Sequence, residues 1–127
     1  FTVLLAVSLG DDLLYFRYQN GNRENWKAAY AYIAQHKEQQ DRVYSSKPDI
    51  ANYYLGEKTL GYPSFSPPAT GQDNPRIWFV EDMDSAWMYP QAHVWYSEHA
   101  NQQADFDVHV YARNFRMRVY LYDPGSK

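Results

Sequence analysis

The sequence contains no cysteine, which excludes disulfide bonds, thiolate metal sites and cysteine nucleophiles. It also has no Gly-x-Gly-x-x-Gly or Gly-x-x-x-x-Gly-Lys-Ser/Thr loop for a nucleotide, and no Gly-x-Ser-x-Gly turn of a serine hydrolase. The formal net charge of -3 argues against a nucleic-acid partner, because binding a phosphate backbone needs a basic surface. We therefore expect no nucleic-acid partner, no cofactor and no metal ion.

A hydrophobic run long enough to cross a bilayer is missing as well. The apolar start of the chain covers residues 1–9, whereas a transmembrane helix needs roughly 20. Such a run fits either a buried strand or the last turns of a transmembrane helix. Apolar and aromatic residues continue over 13–18 around Arg17, which is typical of a helix that leaves the hydrocarbon and favours the second alternative. Asp11 and Asp12 then have to lie at the headgroups or beyond.

We therefore predict two parts. Residues 1–20 are the end of a transmembrane helix with a juxtamembrane segment, and residues 21–127 form one soluble domain. The domain is rich in aromatic residues, with 13 Tyr and 4 Trp in the whole chain. Such rings bury large areas while keeping a polar atom, so they suit a protein core, a membrane margin or the face of a sugar.

Two helices are predicted from spacing and end signals. Asn22 can cap the first, in which an apolar stripe at i, i+3, i+4 and i+7 is formed by Trp26, Ala29, Tyr30 and Ile33. Pro48 fits the first position of the second helix and Gly56 fits its end. Its apolar face is formed by Ile50, Tyr53 and Tyr54.

Two strands and a third helix follow from the same patterns. Residues 42–46 form a short strand, and residues 61–75 are expected to be a long surface loop, since they are rich in Gly, Pro and Ser. Residues 76–80 form a continuous apolar run, typical of a central strand covered on both faces. The third helix is predicted over residues 90–101, with one face formed by Ala92, Trp95, Tyr96 and His99.

The last part of the chain alternates between apolar and polar residues. This alternation over 106–112 and again over 117–121 predicts two half-buried strands joined near Asn114 as an antiparallel hairpin. The predicted fold class is therefore α/β. It is a small mixed sheet flanked by about three helices, with a Rossmann-like start and a C-terminal antiparallel strand pair.

An acidic patch followed by an aromatic cluster comes directly after the predicted central strand. Aromatic rings can stack on the C–H face of a sugar while carboxylates accept hydrogen bonds from its hydroxyls. The candidate carbohydrate-binding residues are Glu81, Asp82, Asp84, Trp87 and Tyr89. Trp95 and Tyr96 are expected instead to pack the third helix on the sheet.

Other interpretations of the same residues are weaker. Asp82 and Asp84 form an Asp-x-Asp pattern that can hold a divalent cation on a nucleotide sugar, but the chain is too short for the nucleotide-binding half of such an enzyme. A solvated loop or a helix cap is the favoured interpretation of this Asp-x-Asp pattern. Glu81 and Asp84 as a glycosidase pair would need a carboxylate separation that sequence neighbours do not fix.

The histidines give no metal signature. Their spacing lacks the i, i+4 helical pattern of zinc ligands, so we expect surface or hydrogen-bonded side chains for His36, His93, His99 and His109. We predict no catalytic residue in this segment.

A longer pattern resembles a known family. It runs acidic-x-Trp, two small residues, Tyr-Ile, a gap, Asp-x-Val, Pro and Tyr-Tyr-Leu. The positions are Glu24, Trp26, Ala28, Ala29, Tyr32, Ile33, Asp41, Val43, Pro48, Tyr53, Tyr54 and Leu55. This pattern is similar to the C-terminal soluble domain of polytopic glycosyltransferases, the dolichyl-phosphate-mannose–protein mannosyltransferase and aminoarabinose transferase family. The order and spacing agree over most of the chain, although the stretch from Asp84 to Tyr96 has no counterpart that we can place.

The resemblance implies an extracytoplasmic (periplasmic) domain attached to an integral membrane glycosyltransferase that uses a polyprenyl-phosphate sugar donor. The catalytic acidic residues of that family lie in an early loop between transmembrane helices, so none is transferred to this chain. The implied partners are the protein's own transmembrane domain, a sugar or glycan acceptor and the membrane surface. Two alternatives remain, a free-standing carbohydrate-binding module and a metal-dependent sugar-nucleotide enzyme that uses Asp82 and Asp84.

Overall fold

The computed structural model describes residues 2–17, 23–69 and 74–126. Helix α1 (Thr2–Arg17) takes up the apolar start of the chain, which the sequence left open between strand and helix. Large apolar side chains along it are exposed to solvent, Val3 by 76% and Phe16 by 73%. Among the described residues, no helix has both the length and the apolar character needed to span a bilayer.

The rest of the described chain is a mixture of helices and strands. The helices are α2 (Trp26–His36), α3 (Pro48–Leu55), α4 (Ser85–Met88) and α5 (Pro90–His99), and a 3-10 turn spans Tyr62–Ser64. The strands are β1 (Arg42–Ser45), β2 (Leu60–Gly61), β3 (Ile77–Glu81), β4 (Asn101–Phe106), β5 (His109–Val110), β6 (Arg113–Asn114) and β7 (Met117–Tyr122).

Five of these strands form one mixed sheet in the order β2-β1-β3-β7-β4. Strand β1 is parallel to both β2 and β3, whereas β7 is antiparallel to both β3 and β4. Strands β5 and β6 form a separate two-stranded pair. The predicted α/β fold is confirmed, with a parallel, Rossmann-like start and an antiparallel pair at the end.

The two predicted helices are present, with one difference at the first cap. Helix α2 begins at Trp26, and its cap is Asn25, whose Oδ1 accepts a hydrogen bond from the backbone N of Ala28 at 3.2 Å. The predicted cap, Asn22, lies outside the described residues. Helix α3 starts at Pro48 and ends at Gly56 in the left-handed conformation, as its sequence signals indicate.

The sheet separates two hydrophobic cores, because successive side chains of a strand point to opposite faces. On one face, Trp78 and Val80 pack with the buried stripe of α2 and with Ala51 of α3. On the other, Phe79 packs with Tyr62 of the 3-10 turn and Tyr96 of α5. The central strand β3 is buried along its whole length, as its continuous apolar sequence predicts.

The terminal strand pair differs from the prediction. The partner of β7 is β4 (Asn101–Phe106), not a strand over 106–112. The predicted third helix accordingly ends at His99, two residues before β4 begins. Strand β4 is a polar edge strand with a bulge, so it shows no alternating apolar pattern. The apolar alternation over 106–112 comes in part from the buried Val108 and Val110. Val110 belongs to the small β5–β6 hairpin, and Val108 directly precedes it.

Two shorter elements were not predicted. Helix α4 lies between the acidic patch and the predicted third helix, where no element was predicted. The predicted loop over 61–75 includes Gly61 of β2 and the 3-10 turn, in which Tyr62 is only 4% exposed. Pro63 restricts the backbone of that turn, and the buried side chain of Tyr62 holds the turn against the sheet.

Candidate functional site

The acidic patch lies where the central strand ends, beneath helices α4 and α5. Strand β3 carries Glu81 as its last residue, and Asp82 follows directly. Both are buried, with exposures of 7% and 3%, so the expectation of a solvated acidic loop is wrong for these two positions. Buried carboxylates need hydrogen-bond partners, and both of these have them.

Glu81 is held by three side chains on the α5 face of the sheet. Its Oε1 accepts a hydrogen bond from Nη1 of Arg118 at 2.8 Å, and its Oε2 accepts one from the hydroxyl of Tyr96 at 2.9 Å. Nε2 of His93 lies 3.3 Å from the same Oε2. Arg118 reaches Glu81 because the two residues are paired across β7 and β3. The carboxylate is therefore a bridge between the sheet and α5.

Tyr96 shows the electrostatic consequence of that bridge. Burial penalises its charged phenolate, and the neighbouring Glu81 carboxylate adds repulsion, so the pKa of Tyr96 is raised far above its usual range. The hydroxyl therefore stays protonated and donates a hydrogen bond to Glu81. This is the behaviour of a structural hydrogen bond rather than of a general base.

Asp82 ties three segments together. Its Oδ2 accepts a hydrogen bond from Oγ of Ser46 at 2.6 Å, and its Oδ1 accepts one from Oγ of Ser85 at 2.6 Å and one from the backbone N of Asp84 at 3.2 Å. Nζ of Lys47 lies 3.9 Å from Oδ2. The carboxylate thus anchors the β1–α3 connection and the first turn of α4, which favours a structural role over metal ligation.

The remaining acidic residue behaves differently. Asp84 is half-buried at the start of α4, and its Oδ1 accepts a hydrogen bond from Nε1 of Trp87 at 3.2 Å. That bond orients the indole ring of Trp87, which is 70% exposed. An oriented, solvent-facing indole presents a flat surface at low entropic cost to a ligand. Within the described residues, no group of three or more His, Asp or Glu side chains is arranged to hold a metal ion.

A concave site opens beside this helix and is called here the aromatic cleft. It lies between the 3-10 turn and the α4–α5 junction, has a volume of about 380 Å³, and its walls include Tyr62, Phe65, Met88, Tyr89, Pro90 and Gln91. The rings of Tyr62 and Tyr89 are 5.4 Å apart. The hydroxyl of Tyr62 donates to the carbonyl of Val80 at 2.7 Å, which fixes the floor of the cleft on the central strand.

The structure divides the five predicted sugar-binding residues into two groups. Glu81 and Asp82 lie inside the protein as anchors of the sheet end, whereas Tyr89 lines the aromatic cleft. Trp87 belongs to α4, the same short helix as Met88 of the cleft wall, and its partner Asp84 directly precedes that helix. The solvent-accessible part of the predicted site therefore consists of the exposed Trp87 and the half-buried Asp84 and Tyr89.

Sequence reasoning missed the opposite wall of the cleft and the partners of the buried acids. Tyr62 and Phe65 were assigned to a surface loop, and a tyrosine directly before proline is the signal that could have marked a fixed turn there. Arg118 and His93 meet Glu81 through strand register and helix placement. Neither contact can be inferred from the residues that neighbour Arg118 or His93 in the sequence.

The other histidines lie near the surface or bond within their own helix, as expected. Nδ1 of His36 is 2.7 Å from the carbonyl of Tyr32, and Nδ1 of His99 is 2.9 Å from the carbonyl of Trp95. His109 is 69% exposed in its side chain.

Comparison of the chain with known protein families, with curated proteins and with solved structures found no match.

Proposed function

We propose that this chain is the extracytoplasmic, water-facing domain of an integral membrane glycosyltransferase that uses a polyprenyl-phosphate sugar donor. In this proposal the aromatic cleft holds a sugar unit of the acceptor, and the chemistry takes place in the membrane part of the enzyme. The pattern from Trp26 to Leu55 supports the family, and the aromatic cleft is the observation that carries the sugar-binding role.

The cleft has the chemical character that a sugar ring requires. Tyr89 and Phe65 offer ring faces for the C–H side of a pyranose, and Gln91 offers amide donors and acceptors for its hydroxyls. Trp87, oriented by Asp84, extends the aromatic surface outside the cleft. A site of about 380 Å³ falls in the usual size range of small-molecule pockets.

The buried acids support an accessory role rather than catalysis by this segment. A glycosyl-transfer base or nucleophile must reach the substrate, but Glu81 and Asp82 are enclosed and bonded to Arg118, Ser46 and Ser85. We expect the chain alone to transfer no sugar. Transfer of a sugar by the isolated chain would contradict this part of the proposal.

Helix α1 supports attachment to a membrane. Its exposed apolar side chains include Val3, Val7, Leu9, Leu13 and Phe16. They lie around the helix rather than along one stripe, and a helix that is apolar on all sides is normally covered by other apolar groups. The transmembrane domain of the same protein and the lipid around it are the partners we propose for this helix.

The test of sugar binding is a ligand-observed NMR titration of the full chain with neutral and amino monosaccharides and disaccharides. A phosphocholine detergent keeps α1 in solution without offering a competing sugar headgroup. We expect Tyr89→Ala and Trp87→Ala each to weaken binding at least fivefold, about 1 kcal/mol, as the loss of an aromatic anchor does.

The matched control is Tyr111→Ala, which removes a tyrosine that is 99% exposed on the β5–β6 hairpin and should leave binding unchanged. Absence of binding across the sugars, or an equal loss in Tyr111→Ala, would contradict a sugar site in the cleft. A free-standing carbohydrate-binding module would give the same titration, but it would not associate with membranes through α1.

A further inference from the structure

A second concave surface lies on the opposite side of the sheet, between the start of α2 and helix α3. This surface, called here the basic basin, has a volume of about 710 Å³, and its walls include Arg23, Lys27, Lys47, Tyr53 and Tyr54. Its volume is larger than that of the aromatic cleft. None of its residues belongs to the sugar site described above.

The basin gathers cations on a protein that is negative overall. Three cations, Arg23, Lys27 and Lys47, lie on its walls with two acids, Glu24 and Asp49, while the formal net charge of the chain is -3. The buried carboxylate of Asp82 also lies 3.9 Å from Nζ of Lys47, so the attraction for an anion comes chiefly from the exposed Lys27.

One of these cations is held in place by the fold. Nζ of Lys47 lies 5.3 Å from the centre of the Trp26 ring and 3.9 Å from Oδ2 of Asp82. Its side chain nevertheless remains 44% exposed. Lys47 is thus a fixed charge on the basin wall that can still meet a ligand in solvent, and Lys27 beside it is exposed on the first turn of α2.

The basin also presents tyrosines to solvent. Tyr53 is 82% exposed and Tyr54 is 42% exposed, with ring centres 5.1 Å apart. They share the predicted face of α3 with Ile50, which packs against the core, whereas the ring of Tyr53 remains open to solvent. Exposed tyrosines beside lysine and arginine are typical of protein surfaces that meet lipid headgroups.

The basin is close along the chain to the apolar helix. The stretch between Arg17, where α1 ends, and Arg23, on the basin wall, spans at most about 20 Å even when fully extended. If α1 enters a bilayer, the basin wall is therefore held within reach of the headgroup layer. The aromatic cleft has no such tie to α1.

We propose that the basic basin docks on the anionic headgroups of the membrane that α1 enters, with Lys27, Lys47 and Arg23 facing lipid phosphates and Tyr53 and Tyr54 resting at the headgroup level. This inference rests on the membrane attachment in the proposed function. It adds the orientation of the domain, with the α2–α3 side towards the lipid and the aromatic cleft on the other face of the sheet.

The test is partition of the full chain between buffer and vesicles, measured by co-sedimentation. One set of vesicles is phosphatidylcholine alone, and the other is an equimolar mixture of phosphatidylcholine and phosphatidylglycerol. We expect binding to both sets through α1 and tighter binding to the anionic set. Because a lysine near an anionic surface contributes a few-fold in affinity, Lys27→Gln should weaken binding to the anionic vesicles about fivefold and leave the neutral ones unchanged.

Matched controls separate the basin from general charge and general aromatic content. Lys58→Gln removes the same charge from an exposed lysine after the end of α3, and it should keep the anionic preference. Tyr53→Ser should weaken binding to the anionic vesicles, whereas Tyr111→Ser should not. Added salt should abolish the difference between the two vesicle types, since the attraction is screened over about 10 Å at moderate ionic strength.

The outcomes distinguish the two proposals. Equal binding of the unaltered chain to both vesicle types, or an equal loss in Lys58→Gln and Lys27→Gln, overturns docking through the basin and leaves membrane attachment standing. Failure to bind neutral vesicles overturns membrane attachment through α1, while the sugar titration tests the aromatic cleft separately.

Discussion

Asp41 is a single residue on which several parts of the domain converge. Its Oδ2 accepts hydrogen bonds from Nη2 of Arg76 at 2.8 Å, from Nε1 of Trp78 at 2.7 Å and from the backbone N of Glu38 at 2.9 Å. Burial alone would raise its pKa, but these bonds and the charge of Arg76 outweigh burial and hold the pKa of Asp41 below its usual value of 3.8.

This arrangement predicts a loss of stability in acid. Because the pKa of Asp41 is lower in the folded protein, the unfolded chain takes up the proton first as the pH falls. The stabilisation is complete above about pH 5 and disappears as the pH falls through the lowered pKa of the folded state. Asp105, whose pKa is lowered by its hydrogen bond with Arg116, adds to the same dependence.

The variant Asp41→Asn tests this prediction. It should lower the free energy of unfolding by about 1–3 kcal/mol at pH 7, since it breaks charge-assisted hydrogen bonds, and by much less at about pH 3. Urea unfolding at the two pH values measures both numbers. Glu98→Gln, which removes a charge from an exposed position of α5, should change neither. A pH-independent cost for Asp41→Asn would refute the electrostatic explanation.

The same scale explains how much of the candidate site the sequence could predict. Trp87 and Tyr89 were identified from residue type alone; Trp87 is exposed, whereas Tyr89 is half-buried in the wall of the cleft. The burial of Glu81 and Asp82 was missed, because it depends on Arg118, which is distant in sequence, and on a serine that joins α4 to the sheet. Which side chains pair with a buried charge depends on how the chain packs, and residue type alone does not determine that packing.

At the scale of elements, local chemistry decides where a helix ends. Helix α3 stops at Gly56, whose φ of 68° places it in the left-handed region, and a Cβ added there would meet no atom within 4 Å. Any cost of a side chain at this position therefore comes from the backbone conformation and not from a steric clash.

The variant Gly56→Ala should lower the free energy of unfolding by about 1 kcal/mol, the usual cost of forcing a Cβ into the left-handed region. Thermal or urea unfolding measures it. The control is Gly61→Ala, at a φ of -87° with its nearest neighbouring atom 3.5 Å from the added Cβ, which should change stability by less than about 0.5 kcal/mol. Equal effects of the two substitutions would show that the turn conformation is not the cause.

Strand pairing could not be predicted with the same success. The apolar strand β3 was assigned from its sequence, but the partner of β7 was placed over 106–112 instead of Asn101–Phe106. A central strand is buried on both faces, so nearly every one of its residues is apolar and the strand can be recognised from its sequence. An edge strand such as β4 is stabilised by backbone hydrogen bonds to its neighbour, and those bonds place little demand on its side chains.

At the scale of the whole molecule, buried aromatic residues contribute to the cores on both faces of the sheet. Tyr30 and Tyr96 lie in the two cores on opposite faces of the sheet, with exposures of 1% and 0%, and Tyr62 joins the second core. Burial penalises the phenolate form and raises the pKa of all three tyrosines well above the usual value of 10.0.

These buried phenols predict cooperative unfolding in alkali. The unfolded chain loses the tyrosine protons near pH 10, whereas the folded chain keeps them, so stability is complete below about pH 10 and falls as the pH rises above it. Circular dichroism and the ultraviolet absorbance of tyrosinate, recorded together, should show the last tyrosines ionising in the same transition in which the fold is lost. Complete ionisation while the native circular dichroism persists would contradict the prediction.

The sequence by itself determined the α/β class, the apolar central strand, the bounds of α3 and the aromatic character of the surface after that strand. These properties follow from residue type, period and end signals within a few neighbouring positions. Only the tertiary structure decided that Glu81 and Asp82 are internal anchors, that Tyr62 forms the floor of a cleft, and that three cations near the starts of α2 and α3 line one surface. Each of these depends on strand register and helix placement, which arise from packing over the whole chain.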